Sequence, residues 1–190
     1  SKIDPEPIRE AVAAFKLVNG GMLEFLTDTS TGGKGACHLA LDSTGSTLAI
    51  ANYGDGSIST VKLENSLPDK VASVLINPGS GPNKNRQQAT HAHGVYFNPD
   101  NNRLLIPDLG LDKVWSYAFD ARTSKFDAEK GTPFTAEPGS GPRHIAFSPD
   151  NLHAYIVNEL DNTVSACAYD AKAGTLKSLQ RISTLPDGWS

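Results

Sequence analysis

Residues 144–148 read His-Ile-Ala-Phe-Ser, and this stretch decides the fold because two similar stretches precede it. Residues 38–42 read His-Leu-Ala-Leu-Asp and residues 93–97 read His-Gly-Val-Tyr-Phe, so the leading histidines are spaced 55 and 51 residues apart. A spacing of that size is typical of proteins built from serial copies of one structural unit. The sequence therefore predicts a repeat architecture.

A different polar residue follows each of these histidines at the same distance. Fifteen residues after the histidine stand Tyr53, Asp108 and Glu159 in the first, second and third repeat. Equivalent positions with different chemistry indicate that the repeats share a scaffold and supply distinct groups to one site.

Each repeat contains short apolar segments bounded by Pro, Gly, Asn and Asp, which is the signature of strands joined by tight turns. The third repeat predicts strands at residues 145–147, 154–157, 164–169 and 176–183. Three strands are predicted in the second repeat, at 95–97, 104–106 and 114–119, and three in the first, at 38–41, 48–51 and 58–63. The segments at 12–17 and 22–26 resemble the last two strands of a further unit. Four-stranded units in series predict an all-β fold, a β-propeller of four-stranded antiparallel blades.

The predicted boundaries are a half blade at residues 11–36 and blades at 37–82, 92–140 and 143–185. About three and a half blades do not close a ring, since propellers have about four to eight. We therefore expect this chain to be the middle of a longer protein. The weak helical pattern at residues 7–14 reads better as the lead into a strand.

Composition excludes several classes of protein. The chain has 190 residues, of which 38% are hydrophobic and 20% charged, as in ordinary soluble globular proteins. No apolar run approaches the roughly 18 residues of a membrane helix, so we expect no membrane partner. Seventeen Lys and Arg against 21 Asp and Glu leave no basic excess, which argues against nucleic-acid binding. The first residues show no signal peptide, so a cytoplasmic location is expected, and the oligomeric state stays open.

Two cysteines, Cys37 and Cys167, lie 130 positions apart in different repeats. Two buried free thiols are the preferred interpretation over a disulfide.

Five segments in order carry a family resemblance. They are residues 52–57 (Asn-Tyr-Gly-Asp-Gly-Ser), 86–93 (Arg-Gln-Gln-Ala-Thr-His-Ala-His), 108–112 (Asp-Leu-Gly-Leu-Asp), 138–144 (Pro-Gly-Ser-Gly-Pro-Arg-His) and 157–160 (Val-Asn-Glu-Leu). Together they resemble the lactonase family of seven-bladed β-propellers, which includes bacterial 6-phosphogluconolactonases and fungal 3-carboxy-cis,cis-muconate lactonizing enzymes (muconate cyclases). The similarity runs from about residue 12 to 186 and implies a seven-bladed ring.

Three residues are predicted to be catalytic: His93, Arg143 and Glu159. The resemblance to muconate cyclases implies the same three, in the motifs His-Gly-Val, Pro-Arg-His and Asn-Glu-Leu. A guanidinium can clamp a carboxylate or phosphate or stabilise an oxyanion, and a carboxylate can accept a proton from water. The structural alternatives are a salt bridge from Arg143 to Glu159 or Asp108 that staples neighbouring blades, and a turn cap at Glu159.

Four more residues are predicted to bind substrate: His91, His144, Asp108 and Arg86. His91 lies two positions before His93 and so on the same side of an extended segment. A phosphogluconolactonase needs a phosphate-binding cation, which Arg86 or Lys84 in the loop before the histidines can supply, although solvated loop charges are the alternative. Asp108 reads equally well as a turn residue.

His91, His93 and Glu159 are also a legitimate set of metal ligands. Calcium-binding lactonase propellers, however, rely on oxygen ligands in an arrangement that is not evident here. We therefore predict metal-free chemistry without a cofactor.

The predicted function is the processing of a small-molecule lactone or carboxylate. In the hydrolysis of a sugar lactone such as 6-phosphogluconolactone, Glu159 or His93 takes a proton from water and Arg143 steadies the oxyanion. The alternative reaction of the same groups is the cyclisation of 3-carboxymuconate. A second class of function is a non-catalytic β-propeller scaffold for protein partners, because fold alone does not assign function.

Overall fold

The computed structural model describes residues 10–189. Residues 7–9, part of the segment predicted to lead into a strand, lie outside this range, and the rest of that segment enters the first strand. The described chain forms fifteen β-strands: β1 Ala11–Leu17, β2 Leu23–Ser30, β3 Ala36–Leu41, β4 Thr47–Asn52, β5 Ser57–Glu64, β6 Leu67–Ile76, β7 Tyr96–Phe97, β8 Arg103–Asp108, β9 Lys113–Asp120, β10 Lys125–Phe126, β11 Thr132–Thr135, β12 Pro142–Phe147, β13 His153–Asn158, β14 Thr163–Asp170 and β15 Thr175–Ser183.

The strands form four antiparallel sheets in chain order. Strands β1 and β2 form a half blade, β3 to β6 the first blade, β7 to β11 the second and β12 to β15 the third. In the second blade, β10 and β11 both pair with β9, so the outermost strand is interrupted at residues 127–131. The sequence predicts no fourth strand in this repeat, because neither short piece carries a strand-length apolar pattern. The all-β fold with four-stranded antiparallel blades is confirmed.

Strand β8 shows how the blades stack against each other. Leu104 and Ile106 pack into an apolar cluster with residues of the first blade, such as Ile58. Leu105, which points to the opposite face, packs with residues of the third blade, such as Ile156. Side chains alternate between the faces of a strand, so a strand with both faces covered is apolar throughout. The second blade is therefore enclosed between its two neighbours.

Large apolar side chains remain exposed on the half blade and on the third blade, at the two ends of the stack (Phe15, Leu17, Met22, Leu23, Phe25 and Leu26; Leu152, Tyr155, Leu179 and Ile182). No helix among residues 10–189 has the length and apolar character needed to cross a membrane.

Antiparallel pairing brings the residues predicted to form the site to one end of the sheets. In the third blade Pro142 pairs with Asn158, and in the second blade Ala92 forms a bridge with Asp108. The start of each innermost strand thus lies beside the end of the next strand. Polar groups that precede the inner strands and polar groups that follow the second strands consequently meet at the same edge.

The two cysteines are free, and the prediction that both are buried is wrong for Cys37. Cys37 lies at the start of β3, beside the break in register between Ala36 and His38, and its side chain does not enter the apolar clusters between the blades. Cys167 lies in the apolar cluster between the second and third blades, and burial raises the pKa of its thiol to about 11.

Candidate active site

The carboxylate of Glu159 is the centre of a cluster of charged side chains. Its Oε1 lies 2.6 Å from Nη2 of Arg86, and its Oε2 lies 3.0 Å from Nε of Arg143 and 3.4 Å from Nε2 of His93. Arg143 Nε also lies 3.3 Å from Nε2 of His93. The structure therefore brings together the three residues predicted to be catalytic, and it adds Arg86 to them.

The two arginines are held by one buried network. Gln87, which directly follows Arg86, is fully buried, and its Nε2 donates to Oδ1 of Asp112 at 2.7 Å. The same oxygen accepts the amide N–H of Gly141 at 2.8 Å, in the loop that leads to Arg143. A single carboxylate thus fixes both arginine-bearing segments relative to each other.

Tyr53 is a site residue for which the sequence indicated a place but no chemical role. Its hydroxyl accepts a hydrogen bond from Nη2 of Arg86 at 3.3 Å, and its backbone carbonyl oxygen lies 2.8 Å from Nδ1 of His91. The tyrosine ring stacks on the ring of His91 with centroids 4.5 Å apart and meets the ring of His93 edge-on at 5.2 Å. The spacing of fifteen residues from a strand-leading histidine, which it shares with Glu159, is the sequence signal for its place, and its contacts in the structure supply the role.

Histidines from three successive blades, His38, His93 and His144, lie side by side, and His93 also belongs to the cluster around Glu159. The ring of His144 lies 5.6 Å from the ring of His38 and 5.6 Å from that of His93. Burial lowers the pKa of all three imidazoles. The charge of Arg143 lowers the pKa of His93 and His144 further, and the charge of His144 lowers that of His38. The neutral imidazole is therefore favoured at each position. His144, predicted to bind substrate, flanks the cluster through ring contacts.

Asp108 does not reach the site surface, in contrast to its predicted role in substrate binding. Its side chain is fully buried, and its carboxylate accepts hydrogen bonds from the Thr90 hydroxyl and from the amides of His91, Gly110 and Leu111. Burial raises the pKa of this carboxyl group. Asp108 ends β8 and caps the short 3-10 helix Leu109–Leu111, which is the turn role considered from the sequence. It acts on the site by holding the backbone of His91.

The cluster carries a surplus of positive charge over its single carboxylate. The side chains of Arg86 and Arg143 are 43% and 44% exposed, so both guanidinium groups retain N–H donors that face solvent. Such donors suit an anionic oxygen of a ligand or of a reaction intermediate. Within residues 10–189, no group of three or more His, Cys, Asp or Glu side chains is arranged to hold a metal ion.

Comparison with known proteins finds relatives whose names describe lactonases. The 6-phosphogluconolactonase of Bacillus subtilis is 35% identical over 182 residues, covering 94% of this chain and 50% of that protein. The periplasmic gluconolactonase of Pseudomonas aeruginosa superposes with a TM-score of 0.83 at 28% identity, covering 95% of this chain and 51% of that one. A Lactobacillus plantarum protein superposes with a TM-score of 0.85 at 28% identity, covering 94% and 50%.

The chain spans about half the length of the curated relatives it matches. The family model described as a seven-bladed β-propeller lactonase matches residues 3–190. This range includes every blade and every site residue described above. The protein therefore belongs to the lactonase family of seven-bladed β-propellers.

Proposed function

We propose that the protein hydrolyses a sugar lactone, with 6-phosphogluconolactone as the first substrate to test. The observation that carries the proposal is the shared carboxylate of Glu159, which contacts Arg86, His93 and Arg143 from three separate segments of the chain. A scaffold for protein partners has no reason to assemble one carboxylate, two guanidinium groups and an imidazole at one edge. The name of the Bacillus subtilis relative, 6-phosphogluconolactonase, supports the choice of this lactone and of the hydrolytic direction.

The chemistry follows from where charge develops during hydrolysis. Attack of water on the lactone carbonyl moves negative charge onto the carbonyl oxygen, and a guanidinium aimed at that oxygen stabilises it. Arg143 is the proposed donor, and its Nε contact with Glu159 leaves the end of the guanidinium group free to reach substrate. Arg86 is the proposed partner of the substrate phosphate, because it is equally exposed and is held by Tyr53 and Glu159.

Cyclisation of 3-carboxymuconate remains a prediction from the sequence, without support from the relatives described above. It uses the same groups, since a substrate carboxylate can take the place of the phosphate beside Arg86. A direct assay of both reactions separates the two proposals.

The test uses the protein expressed from its complete reading frame. Hydrolysis of 6-phosphogluconolactone should exceed the spontaneous rate, and the Arg143→Ala and His93→Ala variants should each lose at least tenfold in kcat/KM, or about 1.4 kcal/mol of transition-state stabilisation. Arg122→Ala is the matched control, because Arg122 is 90% exposed and pairs with Asp120 on the surface. Unchanged rates in both site variants would exclude this site, and cyclisation without hydrolysis would replace the proposed reaction.

A further inference from the structure

His91 is held in the site in a way that leaves one ring nitrogen free. Its Nδ1 lies 2.8 Å from the backbone carbonyl oxygen of Tyr53. A carbonyl oxygen can only accept, so Nδ1 carries the hydrogen and Nε2 of the neutral ring carries the lone pair. Within the described residues, the hydrogen bonds of His91 involve Nδ1 and the backbone, and none engages Nε2.

The position of this imidazole is also fixed from several sides. The amide of His91 donates to Oδ1 of Asp108 at 2.9 Å, and its carbonyl oxygen accepts the amide N–H of Leu109 at 3.0 Å. The ring lies nearly parallel to that of Tyr53, with 16° between the planes. A proton acceptor works best when its geometry is set before the substrate binds, and His91 meets that condition.

Glu159 is less suited to accept the proton. Both of its oxygens are engaged, Oε1 by Arg86 and Oε2 by Arg143 and His93. Protonation would weaken these ion pairs at the moment when the arginines must hold substrate. Its role in this geometry is to position the two guanidinium groups.

His93 is also less suited. Its Nε2 lies between Nε of Arg143 and Oε2 of Glu159, so this nitrogen is occupied whichever tautomer forms. Its Nδ1 is buried and has no hydrogen-bond partner. Burial and the charge of Arg143 lower the pKa of this imidazole, which opposes its protonation.

We propose that Nε2 of His91 is the general base of the lactone hydrolysis, an assignment that rests on the proposed function. Water attacks the carbonyl carbon while Nε2 takes one of its protons, and the resulting imidazolium stands beside the tetrahedral intermediate. The bond from the acyl carbon to the ring oxygen then breaks, and the imidazolium returns the proton to that oxygen. The product is the open hydroxy acid, and the histidine ends neutral, as it began.

The experiment compares three site variants in the protein from its complete reading frame. In His91→Asn the amide nitrogen takes the place of Nδ1 and keeps the hydrogen bond to the Tyr53 carbonyl, but the base is gone. Its kcat on 6-phosphogluconolactone should fall at least about 100-fold with KM within about threefold, since general bases contribute about that much or more. His93→Asn and Glu159→Gln should raise KM as well, because both disturb the arginines. His153→Asn, the same change at a 40% exposed histidine outside the site, should leave kcat and KM unchanged.

Chemical rescue distinguishes a missing base from a damaged site. Added imidazole should restore the activity of His91→Ala at least about tenfold and in a saturable manner, and it should not restore that of His93→Ala. Rescue of His93→Ala alone, or a His91→Asn variant with kcat within about threefold of wild type, would overturn the assignment while the function stands. A wild-type protein that does not exceed spontaneous hydrolysis would overturn the function and the assignment together.

Discussion

Arg86 and Glu159 are 73 residues apart in the chain, yet Nη2 of the arginine lies 2.6 Å from Oε1 of the glutamate. Arg86 belongs to the connection between the first and second blades, and Glu159 follows the second strand of the third blade. The pair therefore spans the second blade at the edge where the inner strands begin. It links the stacking of the blades directly to the shape of the site.

Replacing Glu159 by Gln should reduce kcat/KM at least tenfold, which corresponds to about 1.4 kcal/mol. The neutral amide no longer offsets the charges of Arg86 and Arg143, so the two guanidinium groups repel each other and lose their shared position. Steady-state kinetics on the lactone at low and high salt measures the effect. The loss should shrink at high salt, because screening weakens the repulsion.

Glu137→Gln is the matched control for this substitution, since Glu137 is an exposed glutamate in the loop before Arg143. Equal losses in the two variants would show that the Glu159 contacts are not responsible.

Stability should decrease as the pH falls below the ordinary histidine range. Burial lowers the pKa of His38, His93 and His144 from 6.5. Below that pH the unfolded chain therefore binds more protons than the folded chain. Their contribution to stability is complete above pH 6.5 and is lost as the pH falls from there through the lower folded pKa values. Thermal unfolding midpoints measured from about pH 7.5 to about pH 5.5 should show the decrease.

His144→Gln should flatten this pH dependence, because one of the three partly buried imidazoles is removed. His153→Gln is the control, since the His153 side chain is 40% exposed and lies outside the histidine group. A slope that His144→Gln leaves unchanged would contradict the explanation.

Asp108→Ala should lower the free energy of unfolding by about 3 kcal/mol. The buried amides of His91, Gly110 and Leu111 lose their acceptor in this variant, and each unsatisfied buried donor costs about 1–3 kcal/mol. Asp108→Asn should cost less than half as much, because Oδ1 still accepts from the three amides and the new amide can donate to the Thr90 hydroxyl. Urea unfolding of both variants tests this, and equal costs would mean that the hydrogen bonds are not the cause.

Asp112→Asn should impair activity without any contact to substrate. Asp112 has φ of 53°, which Asn tolerates, so the backbone is not strained. Oδ2 accepts the amide of Gly139 and Oδ1 accepts Gly141 and Gln87, so an NH2 at either position faces an N–H donor. We expect a stability loss of about 2 kcal/mol.

The same variant should lower kcat/KM on the lactone, since Asp112 holds both arginine-bearing segments. Asp100→Asn, in an exposed turn, should stay within about 0.5 kcal/mol of wild type. Full activity in a destabilised Asp112→Asn protein would show that the hydrogen bonds of Asp112 do not position the two arginines for catalysis.

Most of the strands could be predicted from sequence because the information for them is local, but β6 (Leu67–Ile76) was not predicted. Short apolar runs between turn residues located the predicted strands, each within a few residues of its observed ends. The interrupted strand β10 and β11 could not be found in this way, because two and four residues are too few to show a period. Those pieces are defined by pairing with β9, which is a tertiary contact.

The site was predictable in part for a related reason. His93, Arg143 and Glu159 were identified from the motifs, and antiparallel pairing within each blade brings such positions to one edge. Tyr53 carried the right spacing but no chemistry that marked it, and its role depends on contacts with Arg86 and His91 from another blade.

The amino-acid sequence by itself thus determined the repeats, most strand positions and the kinds of side chain available at the end of the sheets where the site lies. Tertiary structure alone decided that Asp108 turns inward and that Arg86 turns toward Glu159, although both are charged residues in loops or at strand ends. The physical reason is that a charged side chain can be buried only where hydrogen bonds or an opposite charge compensate for the free energy of removing it from water. Three amides and a hydroxyl compensate the burial of Asp108, whereas Arg86 finds its carboxylate only where a third blade packs against the second.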